Sequence, residues 1–528
     1  MARKNSIRIL VAGLLFIFAA PVLAVGTAVT KGPAKLQIKI GENGSAVKNV
    51  PAGIMLEILT DDGDTLTVKD ASGLTGTISK TDVTVQQDQK DSGPPATPTP
   101  ASPLPVAIAE APAPAAVPPA TGVDYKQINE ALGVPLFAGN NLWEENADTV
   151  AAHLGLPKES QTDTQASYRA YTGPKVQVLG ARPYSVALYA HESHPDFVSM
   201  VFANKGDFEG LSALSEKNGN LTVHQELEKE KKAKKDIKNF GEAVREDARV
   251  ITETLTGLLG EPVQTQYGVS QAMRESVRRW DWQGHSFLLA SPRGEYTSLK
   301  IVPQDLADGH GRAARISDAD LRALLQQRLV KRDNADVVVG QIPMVNQGPK
   351  GFCVPATWER YLRYLEIPAD MYVLAMAGGT RLGGGTSLNS IRANMDTYIQ
   401  LYGRRIETVT PDLGVLNVSK FIDKGLPLMW ACYVSLPMDK EISERSAERA
   451  QTTDWAAYIL SLKSIKKKAK DHPFRDPDAG HLRMIVGYNA KTGELAISDS
   501  WGEKFQERWL TVEEAEDISQ GDLTVIKW

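Results

Sequence analysis

The sequence predicts a multidomain α+β protein. Three observations lead there. Its 528 residues exceed what one hydrophobic core usually organises. Short alternating apolar runs near the N-terminus are set apart from the rest by a proline- and alanine-rich tract. Beyond that tract, strand-like runs flank one long stretch with helical periodicity. Hydrophobic residues make up 42% and charged residues 23%, ordinary values for soluble globular protein. A formal net charge of −5 gives no reason to expect nucleic acid or an anionic membrane as the main partner.

Residues 1–24 read as a secretory signal peptide. Arg3, Lys4 and Arg8 form a basic start, Ile9 to Ala20 an apolar stretch, and Pro21-Val22-Leu23-Ala24 a cleavage region. The expectation is an exported protein, periplasmic or extracellular, with no stable membrane span after cleavage. Residues 27–86 carry about five short strands, among them Leu36 to Ile40 and Ile54 to Ile58. They are separated by turn signals such as Asp61-Asp62-Gly63-Asp64. This predicts a small β-barrel, and its size, strand rhythm and final Gly-Thr-Ile-Ser-Lys-Thr-Asp-Val resemble bacterial Src-homology-3-like domains. Residues 87–122 form the Pro/Ala-rich linker, which favours extended polyproline II.

Residues 124–330 read as an α+β domain of unknown role. Pro183 to Tyr189 and Phe197 to Phe202 are strand patterns. Ile237, Phe240, Val244, Ala248, Ile251, Leu255 and Leu258 line up one helical face, which Gly260 and Pro262 close. Arg278 to Trp282, Phe287 to Ala290 and Tyr296 to Val302 then form a meander of strands.

The chemistry is concentrated after residue 335. Gln347-Gly348-Pro349-Lys350-Gly351-Phe352-Cys353 is a glycine-rich turn running into a helical pattern. That places Cys353 at or near a helix N-terminus, where the dipole and open N–H groups favour thiolate, the attacking species. The amide of Gln347 can donate to an oxyanion at the same spot. A thiol nucleophile also needs a base. Gly480-His481 opens an apolar strand, Asn489 to Glu494 forms a turn, and Leu495 to Asp499 returns. The hairpin brings His481 and Asp499 to the same end, so Asp499 can orient the imidazole while its other nitrogen faces the thiol.

These residues resemble the papain-like cysteine peptidase superfamily over about residues 335–528. Gln347 to Cys353 matches its oxyanion glutamine and nucleophile, Gly480-His481 its histidine segment, and Asp499-Ser500-Trp501-Gly502 its Asn-Ser-Trp-Gly motif. The resemblance implies that Trp501 shields the histidine contact. Asp499 stands where papain has Asn, Val354 replaces the usual aromatic, and Lys350 stands where papain has a structural Cys. These departures resemble the bacterial branch near the bacteriocin-processing (double-glycine leader) peptidases.

Gly383-Gly384-Gly385 lacks the ending of a phosphate loop. With Trp501 it is read as lining the substrate site, where bare backbone lets an extended peptide approach and pair. Cys432, in an apolar strand pattern, is read as core. His191-Glu192-Ser193-His194 lacks further ligands, so no metal is expected, and the chemistry needs no cofactor. The expectation is an exported cysteine peptidase acting on a peptide or protein through Cys353, His481, Asp499 and Gln347. Its alternatives are a peptidoglycan stem-peptide amidase or endopeptidase on the same fold, and a catalytically inactive papain-like binding protein. Oligomeric state is not legible.

Overall fold

The computed structural model describes residues 26–31, 34–40, 44–50, 55–69, 75–86, 122–208, 223–349, 351–410, 412–471 and 480–528. The expected signal peptide, nearly all of the linker and Lys350 lie outside the described residues. The described residues mix helices and sheets, as the α+β class requires. The chain divides into two compact units, Met1–Ala109 and Glu110–Trp528.

Among the described residues the first unit shows seven strands where the sequence suggested about five: β1 (Gly26–Thr30), β2 (Ala34–Ile40), β3 (Gly44–Val50), β4 (Met55–Asp61), β5 (Thr65–Lys69), β6 (Thr75–Ser79) and β7 (Val83–Gln86). Their pairing runs β3-β2-β6-β5-β4-β1-β7. Leu56 and Ile58, like Leu66 and Val68, alternate onto one buried face with Leu36, Ile78 and Val83.

The described residues of the second unit form two sheets. Strands β8 (Lys158–Gln161), β9 (Gln165–Tyr171), β10 (Ser185–His191), β11 (His194–Asn204), β12 (Val263–Tyr267), β13 (Glu275–Trp282), β14 (His285–Ala290) and β15 (Tyr296–Pro303) form the first. Its order is β12-β13-β14-β15-β11-β10-β9-β8, and neighbours are antiparallel. The helix Val223–Leu259 packs on it through Phe240, Val244, Ala248, Ile251 and Leu255, all buried. Ile237 departs from expectation and is 43% exposed. The helix runs over β11, β15, β14 and β13. Gly260, at φ +88°, ends the helix in the left-handed conformation.

The second sheet comprises β16 (Leu329–Lys331), β17 (Asp336–Val339), β18 (Arg405–Val409), β19 (Leu428–Tyr433), β20 (Gly480–Asn489), β21 (Glu494–Ser498), β22 (Arg508–Thr511) and β23 (Ser519–Lys527). Its main path is β16-β17-β20-β19-β23-β18, with β21 joining β20 to β22. The break drawn at 330–335 thus falls inside the β16–β17 hairpin. The helix Cys353–Tyr364 lies against β20, and every residue from Val354 to Tyr364 is buried. It is enclosed on every side, its apolar residues within two cores and its Glu359 and Arg360 held by buried polar partners, so the pattern has no solvent face. The cores also mix: Val201 and Tyr296 of the first sheet pack with Val345, Phe352, Ala356, Met371 and Tyr372. A helical pair, Leu436–Ala450 and Trp455–Asp471, is inserted between β19 and β20. Among the described residues no helix is long and apolar enough to cross a membrane.

Candidate active site

The helix Cys353–Tyr364 begins on the cysteine, two residues after Gly351 at φ +64°. No side chain caps it at Phe352. The Val354 N–H and the Leu482 N–H of β20 lie near enough to the sulfur to favour its thiolate. Thr357 donates to the Leu482 carbonyl at 3.1 Å, fixing helix against strand where the sulfur meets β20. Cys353 is partly exposed and its thiol is free.

His481 is the second residue of β20, and its ring stands beside the Cys353 thiol, close enough for each to shift the other's titration. Its Nε2 lies 2.8 Å from Asp499 Oδ1, which leaves Nδ1 for the sulfur. The hairpin register explains the meeting. Met484 pairs with Ser498, so the residue after Ser498 arrives beside the start of β20. Gln347 comes from an extended segment alongside: its N–H donates to the Ser500 carbonyl at 2.8 Å, and Ser500 Oγ donates to its Oε1 at 2.8 Å. With the amide oxygen so held, its NH₂ is the end that can donate to another group. The Trp501 ring stacks on His481 with centroids 4.6 Å apart, excluding water from one imidazole face.

Electrostatics follow from these contacts. Burial pushes the Cys353 thiol up, but the bond and charge of His481, with the two N–H groups, outweigh it and hold the thiol below its ordinary value. Burial opposes the His481 imidazolium, yet Asp499 and Cys353 together raise its pKa. Burial likewise opposes the Asp499 carboxylate, while Arg483, His481 and Arg508 hold it well below the usual range. The arrangement therefore favours a thiolate beside an imidazolium. Cys432 pairs with His481 across the sheet, but burial pushes its thiol up to about 12. The other cysteine is thus a core residue, as its apolar pattern suggests.

Sequence reasoning missed a network beneath the triad. Arg483 Nε donates to Asp499 Oδ1 at 3.0 Å, and Arg508 Nη2 to Oδ2 at 2.5 Å. Both arginines also reach Asp439, at 3.1 and 2.6 Å. Asp439 belongs to the inserted helix Leu436–Ala450. Each guanidinium also lies 5.7 Å from the Trp501 ring centre. Arg483 carried a signal: two residues after His481 in a strand, it must share that face.

Gly383, Gly384 and Gly385 sit against the turn before Cys353, all with φ between +81° and +104°. Their N–H groups bond Lys205, Arg381 and Gly351 carbonyls, respectively, so these donors are already engaged within the protein rather than open to an extended substrate. The run is glycine for local reasons: a Cβ on Gly384 would come 2.5 Å from the Gly351 Cα. Among the described residues no cluster of His, Cys, Asp and Glu could hold a metal ion.

A model of the Peptidase_C39 like family matches residues 339–520, a span that includes Gln347, Cys353, His481 and Asp499. The match relates this segment to papain-like and C39 peptidases and implies a peptide substrate. No curated protein matches the chain.

Proposed function

We propose that this protein is a cysteine peptidase that cleaves peptide bonds through Cys353, His481 and Asp499. One observation carries the reading: a partly exposed thiol at a helix N-terminus contacts an imidazole whose other nitrogen is held by a buried carboxylate. The Cys353 thiolate attacks the substrate carbonyl. Gln347 and the Cys353 N–H donate to the oxyanion. His481 protonates the leaving amine as the thioester forms, then takes a proton from the water that hydrolyses it. Asp499 keeps Nε2 occupied and stabilises the imidazolium. Trp501 and the glycine loop at 383–385 border the substrate. The resemblance to the double-glycine leader peptidases supports a bacterial, disulfide-free peptidase. The N-terminal residues support export, and the first compact unit supports a Src-homology-3-like targeting module.

The test is an unbiased peptide mixture digested by the wild-type protein and by Cys353→Ala, with products read by mass spectrometry. New termini produced by the wild type alone support the reading. Identical product patterns overturn it. Purified cell wall as a second substrate separates general peptidase activity from stem-peptide release.

A further inference from the structure

The sheet formed by β8 to β15 lies entirely before the family match, which begins at residue 339. It nonetheless reaches the candidate active site. Along Met344–Gln347 successive main-chain groups bond to opposite sides. One side belongs to Gln347, tied to Ser500 through main chain and side chain. On the other side, Met344 N–H donates to Ser160 Oγ at 2.9 Å and Asn346 N–H to Glu159 Oε1 at 2.7 Å. Tyr171 OH donates to the Asn346 carbonyl at 2.6 Å. The Tyr171 ring lies so close to Gly348, at φ +75°, that a Cβ there would come within 2.8 Å of it.

The same sheet holds the helix that bears Cys353. Arg169 Nε donates to Glu159 at 2.8 Å, and its Nη2 to Tyr189 OH at 2.7 Å. Tyr189 OH then donates at 2.9 Å to Glu359, within the helix Cys353–Tyr364. Gly206, just past β11, faces the Phe352 ring so closely that a Cβ would lie 2.4 Å from it. A connected set of buried bonds therefore grips both the glutamine segment and the cysteine helix.

We propose that the β8–β15 sheet is a working part of the active site, and that Tyr171, with Ser160 and Glu159, positions Gln347 for oxyanion binding. This rests on the peptidase reading above. Tyr171 touches no reacting atom; it fixes the backbone on one side of Gln347 while Ser500 fixes the other. Loss of its hydroxyl lets the segment shift and weakens transition-state binding, while the thiolate–imidazolium pair, anchored on β20 and the helix, is unchanged.

The test compares two reagents on the full-length protein. Acylation of Cys353 by p-nitrophenyl acetate develops an oxyanion; alkylation by iodoacetamide does not. In Tyr171→Phe, acylation falls by about tenfold or more, while alkylation and its pH profile stay within about twofold. Ser160→Ala gives the same selective loss, keeping the test independent of one variant's folding. Acylation unchanged in both variants, or acylation and alkylation falling together in both, overturns the proposal. A wild-type Cys353 that alkylates but does not acylate overturns the peptidase reading itself and this proposal with it.

Discussion

Asp499 and Arg508 form a buried ion pair, with Nη2 of the arginine 2.5 Å from Oδ2 of the aspartate. Arg483 takes the other carboxylate oxygen, which His481 also faces. An aspartate where papain carries asparagine is thus matched by two guanidinium groups and a second carboxylate, Asp439. Asp499→Asn would leave two buried cations with one carboxylate between them. The expected cost is about 3–5 kcal/mol of stability, because removing one member of a buried pair strands the other. Urea unfolding of the variant checks it. An unchanged midpoint and slope would show the network to be dispensable.

The pH dependence follows from the directions of the shifts. The reactive form needs Cys353 deprotonated and His481 protonated. The thiol is lowered and the imidazolium raised. Iodoacetamide alkylation of Cys353 should therefore begin below the ordinary thiol range. kcat/KM should decline only above the ordinary imidazole range. Asp499→Asn removes a charge that supports the imidazolium, so its alkaline limb should move to lower pH. Cys432, at about 12, should stay unmodified in the folded protein across neutral pH. Peptide mapping after alkylation distinguishes the two thiols.

Gln347→Ala should lower kcat by about 10²–10³ with little change in KM, the signature of a donor used in the transition state. Alkylation of Cys353 should be unaffected. Steady-state kinetics on a substrate from the peptide mixture reads the split.

Gly384→Ala places a Cβ against Gly351, at a φ of +104°. Strain of about 1–3 kcal/mol is expected. Part of it should appear as displacement of the turn that leads to Cys353. The measurement is the ratio of activity loss to stability loss. A variant with wild-type activity and melting temperature would show that the two loops move independently.

Much of the site was legible because its chemistry sits in contiguous motifs. Gln347 and Cys353 share one turn. His481 and Asp499 share one hairpin, and pairing rules alone bring its ends together. What escaped was carried by residues with no local pattern. Asp439 lies on an inserted helix far from Asp499 in the chain, and an acidic residue on an otherwise polar helix looks like ordinary surface. Tyr171 and Glu159 lie in the region read only as an α+β domain of unknown role, since only folding sets them against Asn346. Ile237 misled in the opposite sense: periodicity reports which face of a helix is apolar, not whether every residue on that face is covered.

A thiolate–imidazolium pair that attacks peptide carbonyls is tested most directly by trapping its covalent product. The wild-type protein mixed with the peptide mixture and quenched in acid should carry a peptidyl thioester on the Cys353 fragment by mass spectrometry. The adduct should be absent in His481→Ala. Peptide cleavage without any adduct on Cys353, or an adduct undiminished when His481 is removed, would contradict the account.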